Sequence, residues 1–599
     1  MRVRVVERGV RWRWYGWLVL EDGRRLLLSG DVARWVRPGE ELQLETGSRA
    51  KVLGWGDFRL QRADGTPLWP PFFRRVEHPR LGFSGRALYS YQLVAREARL
   101  ESDFEAVAEL EQYHYASDHE TVALWLCPGG EVVAANTRPD CGGARLIEIR
   151  GSTPASRFLV LELAERLPFE PRVVGYLRLD PPIPKMHRRL PDGRVVPDIR
   201  ERVFPEDWFH PTFEIEEGAD WQAQAQRAID RAETAALRVA RVVVHPDYRS
   251  DGLGTLLARL ALEWAQERRV PEGRRPKHLA CTIAQMARYH PFFERAGFRY
   301  LWDTASGRPV LAHPLSREAE ERVEGFLSRD PVAREHGGRL YRPRYPRVEP
   351  LPGPIVLSGV RKAYRSTLDL LDLPAEVREV LRAFGVQRRR VERVVLRGVD
   401  LEIPPGSVNA LWGASGAGKT TLLRLLLGDE PDEGEVRLPS ARTAALLPGE
   451  VEPRLGEEAV LPAVYERLGE VAAAIEVLGR VGLSDAVLWR ARPWELSTGQ
   501  RERFRLALLL AERPSLLLID ELAAHLDPAT ARRVARGLSR FVREAGITLV
   551  AATHREEVLE ALEPDRVVYV GYGSVWAETP DRSTHIIRPR RGGTGTGLG

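Results

Sequence analysis

The run GASGAGKT, Gly413 to Thr420, is the feature that most limits what this 599-residue chain folds into. The apolar stretch NALWG leads into it and TTLLRLLLG follows. A buried strand, a glycine-rich turn and a helix in that order form a phosphate loop, with every fixed position of G-x-x-x-x-G-K-[ST] filled. Backbone N–H groups of Gly413, Ala414, Ser415, Gly416, Ala417 and Gly418, together with the helix N-terminus, surround the β and γ phosphates of a nucleotide. Lys419 reaches them as a point charge, Thr420 ligates Mg²⁺, and Thr421 lies in the same site.

The loop needs a carboxylate partner, and the sequence supplies one. The apolar run SLLLID ends in Asp520, the expected second Mg²⁺ contact, and Glu521 follows directly. A carboxylate beside the metal contact is placed to polarise an attacking water. LSTGQ, Leu496 to Gln500, precedes Asp520, with Ser497 lying 23 residues before it. In this the chain resembles the ABC ATPase superfamily, whose signature is LSGGQ at this spacing, over about 355–575. The resemblance implies ATP as ligand and Tyr364 as the aromatic that stacks on adenine. It implies Asp527 as the residue of the loop coupling two active sites, and His554 as the switch histidine at the γ-phosphate. Ser497, Gly499 and Gln500 would complete the ATP site of a second copy, so the resemblance also implies an ATP-dependent head-to-tail homodimer.

Two positions depart from the family pattern. Thr498 replaces the first signature glycine. The glutamine expected after a strand between phosphate loop and signature is absent, and TAALLPGEVEP places Gly449 and Glu450 there. Glu450 is the expected substitute at the metal.

A second segment, RVVVHPDYRSDGLGTLLARLALEWA, runs from a buried strand through a small-residue loop into a helix. Such a loop presents N–H groups to a pyrophosphate. Arg249, Ser250, Asp251, Gly252, Leu253 and Gly254 resemble the R-x-x-G-x-G acetyl-CoA motif of the GNAT acetyltransferase family. FFERAGF, Phe292 to Phe298, resembles that family's later helix motif. The resemblance implies acetyl-CoA bound by Val243, Val244, the Arg249–Gly254 loop and Thr255. Where the family has a Tyr that protonates the departing thiolate, this chain has Phe293; Tyr289 or His290 stands one turn earlier as the alternative acid. The strand ALRVARVVV holds no obvious carboxylate base.

The rest of the chain frames these two sites. Its length calls for several cores. The fold class expected is multidomain α/β: a small β-rich domain over 1–88, a GNAT-like domain over 89–330 with an insertion at about 184–235, a linker over 331–353, the ATPase over 354–580 and a disordered tail, 581–599. Aromatic-rich strands in the first domain read either as core or as a base-stacking surface. No apolar run approaches the roughly 20 residues that span a membrane, so a cytoplasmic chain with no membrane insertion is expected. Cys127, Cys141 and Cys281 show no CxxC spacing, and neither a disulfide framework nor a zinc site is expected. The formal charge is +5, and only five of the 89 basic residues are Lys. Arg suits bidentate phosphate recognition, which keeps RNA or DNA open as a partner, with Arg-rich segments at 184–202, 339–347 and 388–394. The layout as a whole resembles ABC-type ATPases fused to a predicted acetyltransferase. The function this resemblance implies is an ATPase serving acyl transfer to a macromolecule. The alternatives are an ATP-gated nucleic-acid or ribosome-associated switch with an inactive GNAT-like domain, and a transporter ATP-binding subunit.

Overall fold

The structure is a computed structural model and describes residues 1–114, 121–212, 221–368, 373–386 and 389–580. It divides into two compact units, Met1–His78 with Ser90–Arg342, and Pro79–Tyr89 with everything from Pro343.

The first unit begins with a seven-stranded sheet, formed between Arg2 and Trp69. Alternation builds it: in Glu41–Thr46, ELQLET, Leu42 and Leu44 are buried and Glu41, Gln43 and Glu45 exposed. Trp35 and Trp69 are buried, whereas Trp12, Trp14, Trp17 and Trp55 are half-buried. Trp12 and Trp14 stack with ring centroids 5.5 Å apart, and Trp69 donates its indole N–H to the Trp55 carbonyl at 2.8 Å. These rings pack on one another as a core does.

A ten-stranded sheet follows, lying in that unit except for Pro79–Leu81 and Ala87–Tyr89 of its last two strands. Its order is Val195–Val196, Arg188–Arg189, Arg299–Thr304, Pro309–Pro314, Leu279–Ile283, Ala236–Val244, Val173–Asp180, Arg157–Leu163, Ala87–Glu97 and Phe73–Leu81. The strand Phe73–Leu81 therefore pairs in this sheet and not in the first, so the two sheets part between Trp69 and Phe73 rather than at 88. The helix Leu253–Arg268 covers one face through Leu257, Leu260, Ala261 and Trp264. The helix Glu101–Glu111 and a three-stranded sheet, Ala123–Leu126, Val132–Ala135 and Arg145–Ile149, contribute the core on which Phe158, Tyr176 and Val243 pack.

The insertion at 184–235 is built into the fold. It adds two edge strands to the large sheet and buries Ile199, Phe204, Trp208 and Phe209 with Leu301 and Trp302. Two of its arginines, Arg188 and Arg200, are buried and structural. Arg188 makes two hydrogen bonds to Asp330, at 2.6 and 2.8 Å, and the buried Arg200 guanidinium lies 4.6 Å over Phe209. The expected linker at 331–353 opens with a helix, Pro331–His336, capped by Asp330.

The cysteine expectation needs correction. Cys127 and Cys141 form a disulfide, with Cys281 free and buried. Pairing of the three short strands folds the 14-residue separation back on itself, a closeness that no local spacing rule detects.

The second unit is a six-stranded sheet in the order Thr443–Leu446, Leu516–Ile519, Thr548–Thr553, Val408–Trp412, Arg566–Gly571 and Ser574–Glu578. The first five strands pair in parallel, and the runs LLLI and TLVAAT are buried throughout. Continuous apolar strands of this kind are those of a sheet covered on both faces. A three-stranded antiparallel sheet, with Ile355–Leu368 at its centre between Arg389–Ile403 and Glu433–Arg437, completes the unit. The expected disordered tail, 581–599, lies outside the described residues.

Candidate functional sites

In the second unit the phosphate loop leaves Val408–Trp412 and enters the helix Lys419–Leu426 through Gly418, at φ 109°. Gly418 has no alternative: a Cβ there would lie 2.7 Å from a Val395 methyl, in a conformation side chains avoid. Lys419 Nζ donates to the carbonyls of Gly413 and Ala414 at 2.8 and 2.9 Å. Burial lowers the Lys419 pKa, and the nearby Asp520 and Glu521 charges oppose that shift.

Thr420 Oγ1 donates to Asp520 Oδ2 at 2.5 Å, which joins the loop to the end of Leu516–Ile519. Two oxygen donors this close, one charged, fit a hard divalent cation such as Mg²⁺. The Asp520 carboxylate also accepts from the Glu521 N–H at 3.0 Å, while Glu521 is exposed with φ 52°. A non-glycine residue at positive φ is strained. Here that backbone turns the second carboxylate away from the buried strand. His554 is exposed just beyond Thr548–Thr553, on the strand next to the one that carries Asp520.

Tyr364, 39% exposed on Ile355–Leu368, brings its hydroxyl 3.2 Å from Thr421 Oγ1. Its register partner is Arg393, whose guanidinium donates to the Gly416 carbonyl at 3.1 Å. In the sequence this arginine belongs to the Arg-rich segment 388–394; only strand pairing shows that it reaches the phosphate loop.

Glu450 is committed elsewhere than the metal pair. Both of its carboxylate oxygens accept from Arg424 of the phosphate-loop helix, and that pairing holds its pKa down. The same guanidinium donates to Tyr364 Oη at 3.3 Å. Glu450 is therefore a partner of the helix, and nothing in its bonding favours a Mg²⁺ ligand.

The signature lies at a helix start. Ser497 caps Thr498–Ala511: its Oγ accepts from the Gln500 N–H at 3.3 Å, and Gln500 Oε1 accepts from the Ser497 N–H at 2.9 Å. Glutamine three residues after serine is a reciprocal capping box, and it leaves Ser497 exposed. Asp527 caps Pro528–Ala545 by accepting from the Thr530 N–H at 2.9 Å.

In the first unit, the strand Ala236–Val244 pairs in parallel with Leu279–Ile283 only from Ala236 to Val239. Its antiparallel pairing with Val173–Asp180 runs on to Val244, past a register shift at Ala240. Residues 240–244 thus lie beyond the ladder on one edge, open to amide groups of an extended ligand. Next comes the loop expected to hold a pyrophosphate. Ser250 and Gly252 sit at φ 67° and 78°, and the helix Leu253–Arg268 begins there. Left-handed residues one apart at a helix start leave N–H groups free of intrahelical partners, as an anion cradle needs. These residues fit CoA.

Below that loop Asp251 is fully buried, accepting from Tyr91 Oη at 2.6 Å, with its carbonyl 2.8 Å from His78 Nε2. Arg249 donates to the carbonyls of Val244 and Tyr113 at 3.0 and 3.2 Å, holding the loop to the strand end and to the exit of Glu101–Glu111. Thr255 Oγ1 donates to the Phe292 carbonyl at 3.2 Å. Val243 and Val244 face opposite sides of the sheet, in the cores of the Glu101–Glu111 and Leu253–Arg268 faces. Phe293 is buried, whereas Tyr289 is half-buried at the end of a short turn, Gln285–Arg288.

Comparison with known proteins divides along the same lines. A family model described as ABC transporter matches 396–524, and one described as acetyltransferase (GNAT) family matches 203–298. The methionine import ATP-binding protein MetN of Rhizobium etli is 33% identical over 247 residues, 37% of this chain and 68% of that protein. The aliphatic sulfonates import ATP-binding protein SsuB of Pseudomonas fluorescens is 36% identical over 235 residues, 37% of this chain and 81% of that protein. The chain spans 62% and 60% of two further methionine import relatives, from Mesorhizobium japonicum and Rhizobium johnstonii. A solved dimeric bacterial ABC transporter cassette is 23% identical, with a TM-score of 0.30 over 38% of this chain and 98% of that one.

Proposed function

The chain belongs to the ABC ATPase family, and on that premise we propose that its ATP cycle serves a CoA-dependent acyl transfer to a macromolecular acceptor. The ATPase and a GNAT domain occur in one chain. The observation that carries the reading is the strand Ala236–Val244, which outruns its parallel partner and ends at a left-handed loop under a helix N-terminus.

In the ATPase unit we assign the roles that the family resemblance implies. Thr420 and Asp520 would hold Mg²⁺, which when bound would supply positive charge to the phosphates. Lys419 and the 413–418 amides hold the phosphates, and Tyr364 offers a face to the adenine. Glu521 orients and polarises water for in-line attack, and His554 contacts the γ-phosphate. Ser497 is exposed at a helix start with Gly499 and Gln500 half-buried beside it, where N–H groups favour a second copy's γ-phosphate. On this reading the working form is a head-to-tail homodimer, with Asp527 in the loop between the two sites.

In the first unit the Arg249–Gly254 loop and Thr255 hold the CoA phosphates, and residues 240–244 orient the thioester arm. Positioning of this kind contributes several kcal/mol by itself. Tyr289 is the acid offered to the departing thiolate. Nucleic acid or protein is the acceptor class.

Calorimetry with CoA tests the reading directly, followed by labelled acetyl-CoA offered with RNA, DNA and protein pools. Absence of CoA binding ends it. Phe293 in the family's tyrosine position favours a second reading, an ATP-gated nucleic-acid switch in which the GNAT domain transfers nothing. The names of the curated relatives favour a third, an ATP-binding subunit serving a membrane partner. No helix among the described residues is long and apolar enough to cross a membrane. ATPase stimulation by nucleic acid, steeply weakened by salt, marks the second; copurification with a membrane protein marks the third.

A further inference from the structure

Between Glu521 and Asp527 runs a short loop, 522–526, that has little of its own to keep its shape. Glu521 and Ala523 both sit in the left-handed region, at φ 52° and 61°, where residues with a Cβ are strained. The loop's own turn bonds are modest: the Ala524 N–H donates to the Glu521 carbonyl at 3.1 Å, and the Leu526 N–H to the Ala523 carbonyl at 3.3 Å. A small cavity lined by Leu446, Leu506, Ile519, Leu522 and Leu526 lies against it, so packing there is incomplete. Strained backbone persists only where its surroundings over-determine it.

The neighbouring strand supplies what packing does not. Arg555 follows His554 just beyond Thr548–Thr553, with its side chain 14% exposed. One nitrogen, Nη1, donates to the Ala523 carbonyl at 2.7 Å and to the Leu526 carbonyl at 2.6 Å. A charged donor makes short, strong bonds, and a single atom bonded to both carbonyls fixes the arc between them. Glu557 holds the rest of the guanidinium, accepting from Nε at 2.8 Å and lying 2.7 Å from Nη2. The Leu522 N–H donates to the Ala552 carbonyl at 2.9 Å, so the same strand also anchors the start of the loop. The signature helix meets this loop as well. Glu502 accepts from the His525 N–H at 3.3 Å, and a Cβ at Gly499 would lie 2.8 Å from a Leu526 methyl.

We infer that Arg555 is a positioning residue for ATP hydrolysis. By clasping the carbonyls of Ala523 and Leu526 it fixes the backbone from which Glu521 presents its carboxylate to the attacking water. The inference rests on the proposed role of Glu521, and it adds a residue that acts through that carboxylate rather than on the nucleotide. Without the clasp, residues 521 and 523 relax toward ordinary φ values and the carboxylate moves with them. A displacement of about 1 Å in a catalytic group costs about 100-fold in rate. Among the described residues Arg555 makes no hydrogen bond to the phosphate loop, so its effect falls on turnover and not on nucleotide affinity.

The test uses the full chain with ATP and Mg²⁺. Arg555→Met keeps the length of the side chain and removes its donors. It is expected to lower kcat about 100-fold while the KM for ATP and calorimetric binding of a non-hydrolysable ATP analogue stay within about twofold. Arg555→Lys is expected to recover most of that rate, because one nitrogen makes both carbonyl bonds and an ammonium can stand in its place. An arginine that served stability alone would show neither the split nor the recovery. Combined with Glu521→Gln, Arg555→Met should remove little further rate, since the two residues serve one step.

Wild-type kcat in Arg555→Met overturns the inference. So does a loss carried by KM, or a loss as large beside Glu521→Gln as in the wild type. Wild-type hydrolysis in Glu521→Gln alone defeats the role of Glu521 itself, a separate result. Should Arg555→Met lose its thermal transition, Glu557→Gln replaces it. Loosening the guanidinium in that way is expected to lower kcat several-fold at unchanged KM, and an unchanged kcat overturns the positioning role.

Discussion

Tyr91 donates its hydroxyl to Asp251 Oδ2 at 2.6 Å, so a phenol on the strand Ala87–Glu97 supports the buried carboxylate under the Ser250–Gly252 turn. Asp251 is fully buried, where each donor counts. Tyr91→Phe should destabilise the chain by about 1–3 kcal/mol, the cost of taking one donor from a buried acceptor. It should weaken CoA binding roughly tenfold by loosening the cradle, an effect of similar origin. Denaturant melts and calorimetry read the two effects; unchanged CoA affinity would show that the cradle stands without this bond.

Asp103 holds the start of the helix that ends at Glu111. It accepts from Arg96 at 2.6 and 2.7 Å and from the N–H groups of Arg99 and Leu100, both at 2.9 Å. Burial alone would raise its pKa, yet these donors bring it below the ordinary 3.8. A carboxylate depressed in the folded state contributes stability that is complete above its unfolded pKa and is lost as pH falls through the folded value. Stability should therefore decline below about pH 4. Asp103→Asn should cost about 1–3 kcal/mol at neutral pH, since Arg96 keeps Glu162 but loses one of its two carboxylate partners, and should flatten that acid decline. Urea titrations across pH 3–7 check both.

Glu521 is the water-polarising carboxylate in the proposed ATPase mechanism. Glu521→Gln should reduce turnover about 100-fold or more while ATP affinity survives. With ATP and Mg²⁺ the variant should accumulate as a dimer in size-exclusion chromatography. Wild-type hydrolysis would remove Glu521 from the mechanism.

Arg393 connects the strand opposite Tyr364 to the Gly416 carbonyl of the phosphate loop. Arg393→Met should weaken ATP binding several-fold, because the loop loses a charge-assisted bond worth about 1.5–3 kcal/mol at most. Stability should change little at so exposed a site. Nucleotide titration followed by fluorescence decides it; unaltered affinity would make the contact incidental.

Much of the ATPase is legible in the sequence because its chemistry is local. Gly413 to Thr420 needs a strand before it and a helix after it, and both are evident from apolar runs. The Ser497–Gln500 capping box is likewise a three-residue relation. The Thr420–Asp520 bond is foreseeable only by analogy, since a hundred residues separate the partners. Glu450 goes the other way: a gap in a motif suggests a metal ligand, and the strand–helix packing gives it to Arg424 instead.

In the GNAT domain the loop is readable from RSDGLG, but its supports are not. Tyr91, His78 and Tyr113 come from segments far earlier in the chain, and nothing in their own neighbourhoods marks them. The same holds for the Cys127–Cys141 bond and for Phe73–Leu81 pairing in the second sheet.

The sequence by itself determined the ATPase family and the presence of a GNAT domain, because phosphate-binding loops depend on consecutive backbone groups and on a few residues at fixed offsets. The tertiary structure decided which charges are spent and which remain available. Arg188, Arg200 and Arg424 are consumed by ion pairs and ring contacts, while Arg555 holds two carbonyls of the loop after Glu521. Burial and pairing arise from where strands lie in a sheet, and sheet order is set by contacts between residues far apart in the chain.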